Sequence, residues 1–154
     1  MSLPEKIKLL AGRWEGNNQL WLSANDPVKE SRSTAVISFK ANEKFIAIEY
    51  TWSDKNIPQE GVIIVGCDPK SQKAKAAWID SWHNGDTLMP CDGSYENNGM
   101  ISVKGTYSAP GTPDWGWRIS IEPNNENSFR LIMHNIYPDG KEELAVEVQY
   151  NRIK

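Results

Sequence analysis

Residues 45–52 read Phe45-Ile46-Ala47-Ile48-Glu49-Tyr50-Thr51-Trp52, a segment of strand length in which β-branched and aromatic residues dominate. The even-numbered residues from Ile46 to Trp52 share one face of an extended strand, and the odd-numbered residues share the other. We expect the even face to line an interior, which leaves Glu49 exposed. A turn-forming run at residues 53–58 ends the segment.

The same alternation of short apolar segments and turn chemistry continues in both directions along the chain. Nine runs rich in Gly, Pro, Asn, Asp and Ser interrupt the sequence at residues 23–27, 40–43, 53–58, 68–71, 83–86, 96–99, 108–111, 123–127 and 137–140. Such residues supply the backbone angles that tight hairpins need. Nine breaks predict about ten strands joined as successive antiparallel hairpins.

Closing the sheet would remove the exposed edges of so many short antiparallel strands. We therefore predict an all-β fold, a closed antiparallel up-and-down β-barrel of about ten strands, with an open sandwich as the alternative. In the last strand the apolar face carries Leu144, Val146, Val148 and Tyr150. A barrel of eight or more strands is wide enough to hold a small ligand.

Residues 3–12 form the one segment that predicts a helix. Pro4 and Glu5 suit a first helical turn, and Gly12 suits the end. An apolar stripe consists of Leu3, Ile7 and Leu10. Because so short a helix is not stable alone, we expect it to cap an apolar end of the barrel.

The composition narrows the class of protein and its surroundings. The chain has 154 residues, with 17 Lys and Arg against 20 Asp and Glu. This balance, without a basic block, argues against nucleic acid or an anionic membrane as a partner. No apolar run approaches the roughly 20 residues of a membrane span, and the amino terminus lacks a secretory pattern. We expect a single domain, residues 1–154, in the cytosol.

The cysteines and histidines are too few to predict a metal site. In a reducing cytosol, Cys67 and Cys91 are expected to be free thiols. Together with His83 and His134 they supply too few ligands, at unsuitable spacings, for zinc. Neither a metal nor another cofactor is predicted.

The segment after the helix, Gly12-Arg13-Trp14-Glu15-Gly16, resembles the Gly-x-Trp opening of the calycin superfamily, which includes lipocalins and fatty-acid-binding proteins. In that superfamily the Trp lies across the closed end of the barrel, under an Arg from the final strand. The resemblance implies that Arg152 covers Trp14 as a cation over an aromatic face.

Four short segments of the second half resemble a bacterial family known as domain-of-unknown-function family 1579, which is similar in layout to calycins and has no agreed activity. The segments are Ala77-Trp78-Ile79-Asp80-Ser81, Gly93-Ser94-Tyr95-Glu96, Asp139-Gly140-Lys141-Glu142 and Tyr150-Asn151-Arg152. The chain departs from the family pattern at Trp82-His83-Asn84 and Trp115-Gly116-Trp117, which are richer in aromatic residues. The resemblance therefore implies a fold and leaves the function open.

Trp78, Asp80 and Trp82 have the same parity along one predicted strand. If that face is interior, two indoles flank a carboxylate, which is typical of a ligand pocket. The alternative is that Trp78 fills the core, Trp82 lies at a rim and Asp80 bonds the backbone in a turn.

An interior Asp80 needs a partner, because burying an unpaired carboxylate is costly. Arg118 is the leading candidate for an ion pair with it. Strand alternation instead places Arg118 on the outer face, because its neighbours Ile119 and Ile121 have the opposite parity. Both interpretations stay open at this point, and Asp80 and Arg118 are the candidate catalytic residues.

The two histidines have different settings. His83 precedes Asn84 and Gly85 and is predicted to lie in a hairpin turn, whereas His134 lies within a strand. Either suits a general base or an axial haem ligand. A lone histidine on a strand is more often structural, and no catalytic triad or phosphate-binding loop is recognisable.

Three hypotheses of function follow, and the first is favoured. The barrel binds a small apolar or aromatic molecule with Tyr50, Trp52, Trp78, Asp80, Trp82, Met133 and Tyr150 as the lining residues. Alternatively, it is an enzyme that uses Asp80 as acid or base in the same cavity, with Arg118 or Tyr150 stabilising developing charge. In the third hypothesis Trp115-Gly116-Trp117 forms an exposed patch for self-association, for example as a homodimer.

Overall fold

The computed structural model describes residues 3–154, which form one short helix and ten strands. The elements are α1 (Glu5–Lys8), β1 (Gly12–Leu20), β2 (Lys29–Lys40), β3 (Phe45–Asp54), β4 (Ile57–Asp68), β5 (Lys73–Asp80), β6 (Met89–Tyr95), β7 (Ile101–Tyr107), β8 (Trp115–Asn125), β9 (Ser128–Ile136) and β10 (Glu142–Arg152). Met1 and Ser2, which the domain prediction includes, lie outside the described residues.

Each strand pairs antiparallel with the next along the chain, and β1 also pairs with β10. The sheet is therefore a closed up-and-down barrel, and the predicted architecture is confirmed. Each of the nine turn-forming runs overlaps one of the connections between strands. The prediction succeeds because hairpin turns are specified by local sequence.

The apolar faces of the strands point inward, as strand alternation predicts. On β3, Tyr50 and Trp52 are buried while Glu49 is exposed. On β10 a bulge between Leu144 and Val146 shifts the register against β9. Leu144 is consequently only half-buried and Ala145 is buried, so the alternation predicted for β10 holds only from Val146 onward.

The N-terminal segment closes one end of the barrel, but its helix is shorter than residues 3–12. Pro4 occupies the N-cap position, and α1 ends at Lys8. The backbone continues in tight turns, in which the Leu10 amide donates to the Ile7 carbonyl at 3.0 Å. The buried side chains under this end are Leu3, Ile7 and Leu10, the predicted apolar stripe.

Trp14 and Arg152 seal the same end. Trp14 is fully buried, and its Nε1 donates to the Leu10 carbonyl at 2.8 Å. The Arg152 guanidinium lies over this indole, 4.3 Å from the ring centroid, and donates to the carbonyl oxygens of Leu9, Ala11 and Glu126. This is the arrangement that the calycin resemblance implies.

Cys67 and Cys91 are free and buried in the interior, as expected. Burial raises the pKa of each thiol to about 11, so both are protonated at neutral pH. Across residues 3–154, no helix has the combined length and apolar character that crossing a bilayer requires.

Candidate functional site

Large side chains fill the barrel interior. Tyr50, Trp52, Met133 and Tyr150 surround a void of only about 10 Å³, which is the space of a single water molecule. Rings from different strands meet there; Tyr150, for example, stacks on Phe129 with centroids 4.9 Å apart. The expectation that these four residues line a hollow is therefore corrected: they pack the core beneath the open end.

Asp80 lies at the end of β5, is 3% exposed and accepts four hydrogen bonds. Its Oδ2 accepts from the Tyr50 hydroxyl at 2.6 Å and from the Trp52 Nε1 at 3.2 Å. Its Oδ1 accepts from the backbone amides of Trp82 at 2.8 Å and His83 at 2.9 Å. Neutral donors thus stabilise the buried carboxylate in place of a cation.

Tyr50 reaches Asp80 across Gly61 of the intervening strand β4, which pairs with both residues. The tyrosine hydroxyl also accepts a hydrogen bond from the Trp78 Nε1 at 2.9 Å. Burial and the neighbouring Asp80 charge raise the pKa of Tyr50 well above its ordinary value. The hydroxyl therefore stays protonated as a donor to the carboxylate.

The postulated ion pair between Asp80 and Arg118 does not form. Arg118 lies on the outer face, where its guanidinium makes a two-pronged contact with Glu142 at 2.8 and 3.0 Å and donates to Ser102. Strand alternation therefore predicted its side correctly, and the pairing hypothesis was wrong. Both oxygens of Asp80 are engaged by four hydrogen-bond donors, which hold the carboxyl group in one orientation.

Trp82 does not share the inner face of β5, because that strand ends at Asp80. It lies at the rim in the connection of residues 81–88 and is 38% exposed. Its ring makes edge contacts with Trp52 and His83, at centroid distances of 5.6 and 4.7 Å. The rim position was the alternative left open for Trp82.

His83 lies in the predicted turn and covers the packed interior. The centroid of its ring lies 5.6 Å from the ring centroid of Trp52, 5.6 Å from that of Trp78 and 5.3 Å from that of Trp117. Burial lowers the pKa of His83, although the nearby Asp80 charge acts in the opposite direction. The imidazole is therefore neutral near pH 7. His134 lies on the outer part of β9, beside Arg118.

A cavity of about 570 Å³ lies beyond His83 at the open end of the barrel, and we call it the mouth cavity. Its apolar walls are formed by Trp78, Leu88, Met89, Tyr107 and Trp117, together with His83. Asn84 and the hydroxyl-bearing residues Thr87, Thr106 and Ser108 complete the lining. Of the predicted ligand-binding residues, only Trp78 lines this cavity.

Two buried polar atoms at the mouth cavity have no hydrogen-bond partner among residues 3–154. They are the Trp117 Nε1 and the Asn84 Oδ1. A buried polar group without a partner is rare and calls for an explanation. These two residues lie in the aromatic-rich stretches that depart from the family pattern, so that departure was the signal that could have located the cavity.

The proposed surface patch of tryptophans is not present. Trp117 points inward and is 8% exposed. Trp115 packs against Tyr137 with centroids 4.6 Å apart, and its Nε1 donates to Thr112 at 3.3 Å. The self-association hypothesis therefore loses the surface on which it depended.

A second groove, of about 610 Å³, lies on the outer side of the barrel. Its lining combines outward-facing residues such as Val36, Glu49 and Ile79 with residues 85–88. The buried residues Tyr50 and Asp80, both predicted to bind a ligand, also border it. Val36 and Ile79 are exposed there. The mouth cavity is the better candidate for a small ligand, because its lining is more aromatic and more deeply buried.

The seal of Arg152 over Trp14 and the closed ten-stranded sheet define a calycin-like β-barrel protein. Within that class, the model of the family described as "Protein of unknown function (DUF1579)" matches residues 5–152, and the chain belongs to this family.

Two solved structures share the fold. Rv2717c from M. tuberculosis is 11% identical, with a TM-score of 0.66 over 99% of this chain and 100% of that one. The S-type phycobiliprotein lyase CPES from Guillardia theta is 15% identical, with a TM-score of 0.65 over 100% of this chain and 94% of that one. At these identities the likeness concerns the fold alone. The search of curated proteins found no match.

Proposed function

We propose that this protein binds a small, largely apolar aromatic molecule in the mouth cavity. The observation that carries the proposal is a cavity of about 570 Å³, walled by aromatic side chains, at the end of an otherwise filled barrel. Small-molecule sites typically have volumes of roughly 300–1,000 Å³ and mostly apolar walls with a few polar groups.

The packed interior supports this site by holding its wall rigid. Trp78 stacks on Trp117 with centroids 5.4 Å apart and an interplanar angle of 9°. Trp78 donates a hydrogen bond to Tyr50, and Tyr50 donates one to Asp80. These two bonds hold the Trp78 ring of that wall in place. A wall that is ordered before binding lowers the entropy cost of holding a ligand. Tyr50 and Asp80 are thus positioning residues in this proposal.

The proposal extends to the cellular compartment and the binding partner of this protein. Two buried, free thiols support a reducing compartment such as the cytosol. The partner proposed here is a small molecule. A homodimer stays a prediction, which sedimentation at high protein concentration would test.

The proposal is tested by titrating the protein with acetophenone and with ethylbenzene, followed by calorimetry and by the NMR signals of the tryptophan N–H groups. We expect saturable binding that shifts the signals of Trp78 and Trp117. A Ser108→Trp variant places an indole at the edge of the cavity and should abolish binding. Ser108→Ala is the matched control, since both variants lose the hydrogen bond from Ser108 to Asp114. The absence of saturable binding, or equal binding by Ser108→Trp, would overturn the proposal.

A further inference from the structure

We infer that the mouth cavity selects uncharged aromatic ligands that carry a hydrogen-bond acceptor, and that the indole N–H of Trp117 recognises that acceptor. This inference rests on the proposed function and names its ligand class. Neutral aromatic carboxamides and lactams are the chemistry that fits best.

The first observation is the contrast between Trp117 and the other buried tryptophans. The indole N–H groups of Trp14, Trp52 and Trp78 donate to Leu10, Asp80 and Tyr50 respectively. The N–H of Trp117 is also buried but finds no acceptor among residues 3–154. Leaving a buried donor without a partner is costly. The Trp117 Nε1 has less than 1 Å² of accessible surface, so a ligand acceptor reaches it only when the side chains that cover it shift, and binding then removes that cost.

The neighbouring strands show why the fold leaves this N–H free. Trp117 pairs with Gly105 on one side and Asn135 on the other. Gly105 has no side chain to offer, and the Asn135 Oδ1 already accepts a hydrogen bond from the Tyr107 hydroxyl. Neither of these cross-strand neighbours therefore supplies a free side-chain acceptor.

Asn84 provides the second observation. Its Oδ1 is buried without a donor among the described residues, while its Nδ2 donates weakly to the Trp78 carbonyl at 3.5 Å. Asn84 and Trp117 both line the mouth cavity. An acceptor matches the Trp117 N–H and an N–H donor matches the Asn84 Oδ1, and a carboxamide carries both groups.

The charge of the lining sets the charge of the ligand. The residues around the mouth cavity include no Asp, Glu, Lys or Arg. Burial keeps His83 neutral by lowering its pKa. A carboxylate or an ammonium group buried there would lose its hydration without an oppositely charged side chain in the lining, so charged ligands are disfavoured.

Four probes of matched size test this inference: benzamide, ethylbenzene, benzoate and benzamidinium, titrated at pH 7.5 and followed by NMR. We expect benzamide to bind roughly ten-fold more tightly than either charged probe, and several-fold more tightly than ethylbenzene. Benzamide should also move the Trp117 N–H proton signal downfield, whereas ethylbenzene should not.

Trp117→Phe keeps an aromatic wall and removes the N–H donor. In this variant the preference for benzamide over ethylbenzene should disappear, while ethylbenzene affinity, which also reports that the cavity is intact, changes less than about two-fold. Trp82→Phe is the matched control, since Trp82 lies at the same end outside the mouth cavity, and it should keep the preference.

The outcomes separate the inference from the proposed function. If ethylbenzene binds and benzamide binds no more tightly, or if benzoate or benzamidinium binds most tightly, the inference is overturned while the mouth cavity is still a ligand site. If none of the four probes binds, the proposed function itself fails. The downfield shift in the unmodified protein needs no variant, so the inference stays testable even if Trp117→Phe does not fold.

Discussion

The hydroxyl of Tyr50 on β3 lies 2.6 Å from the carboxylate of Asp80 on β5, although strand β4 runs between them. The intervening residue is Gly61, which pairs with both. A Cβ at position 61 would overlap the Tyr50 ring and lie 2.9 Å from the Ile79 carbonyl oxygen. The missing side chain therefore allows a buried carboxylate to be satisfied by a neutral donor two strands away.

Gly61→Ala is expected to displace the Tyr50 ring and break its hydrogen bonds with Asp80 and Trp78. The free energy of unfolding, measured in urea, should fall by about 2–4 kcal/mol. Gly85→Ala is the control, because a Cβ there meets no atom within 4 Å and only its φ of +58° resists substitution. A loss in Gly61→Ala no larger than in Gly85→Ala would contradict the interpretation.

Asp80→Asn replaces an acceptor of four hydrogen bonds by a group with one oxygen and an NH₂ that faces donors. We expect a loss of about 2–4 kcal/mol in the free energy of unfolding, because buried donors lose their partner. The matched variant is Asp92→Asn, whose carboxylate pairs with Lys75 at an exposed site and should cost less than about 1 kcal/mol. Similar costs for the two variants would show that the Asp80 network contributes little.

Arg152→Lys should weaken the seal at the closed end, because a lysine cannot reproduce the planar contact with Trp14 and three carbonyl oxygens at once. We expect a loss of about 1–3 kcal/mol, measured by urea unfolding. Arg32→Lys changes an exposed guanidinium paired with Glu15 and should change stability by less than about 0.5 kcal/mol. Equal effects would argue against the seal.

Met133→Ala tests whether the interior is filled. Removing this buried side chain next to a void of about 10 Å³ should cost about 2–5 kcal/mol, because a cavity is left in close-packed surroundings. Met133→Leu conserves volume and should cost less than about 1.5 kcal/mol. A negligible cost for Met133→Ala would mean that the barrel is hollow after all.

The pH dependence of stability should report His83. Because burial lowers its folded-state pKa, the unfolded chain binds a proton at higher pH than the folded chain does. The free energy of unfolding should therefore fall as the pH drops from about 6.5 through the lowered pKa. Urea unfolding at several pH values should show a smaller fall in His83→Gln than in the unmodified protein. An unchanged profile in His83→Gln would refute this assignment.

Local patterns predicted the parts of the fold that depend on neighbours in sequence. The turn runs located the connections, and alternation placed Tyr50 and Trp52 inside and Arg118 outside. The same rule failed for Trp82, because β5 ends at Asp80 and alternation ceases where a strand ends. It also failed at Leu144, where a bulge shifts the phase of β10.

The sequence by itself predicted about ten antiparallel strands and favoured a closed barrel over a sandwich, since hairpin turns and strand periodicity depend on residues close together in the chain, and the calycin resemblance implied the seal of Arg152 over Trp14. Only the tertiary structure decided how the interior is used, because volume and hydrogen-bond supply depend on which side chains meet across the barrel. Tyr50, Asp80 and Met133 surround a void that leaves almost no space, whereas Asn84 and Trp117 both line the mouth cavity and have unpaired atoms. The spacing of residues along the chain does not predict that difference between the filled interior and the mouth cavity.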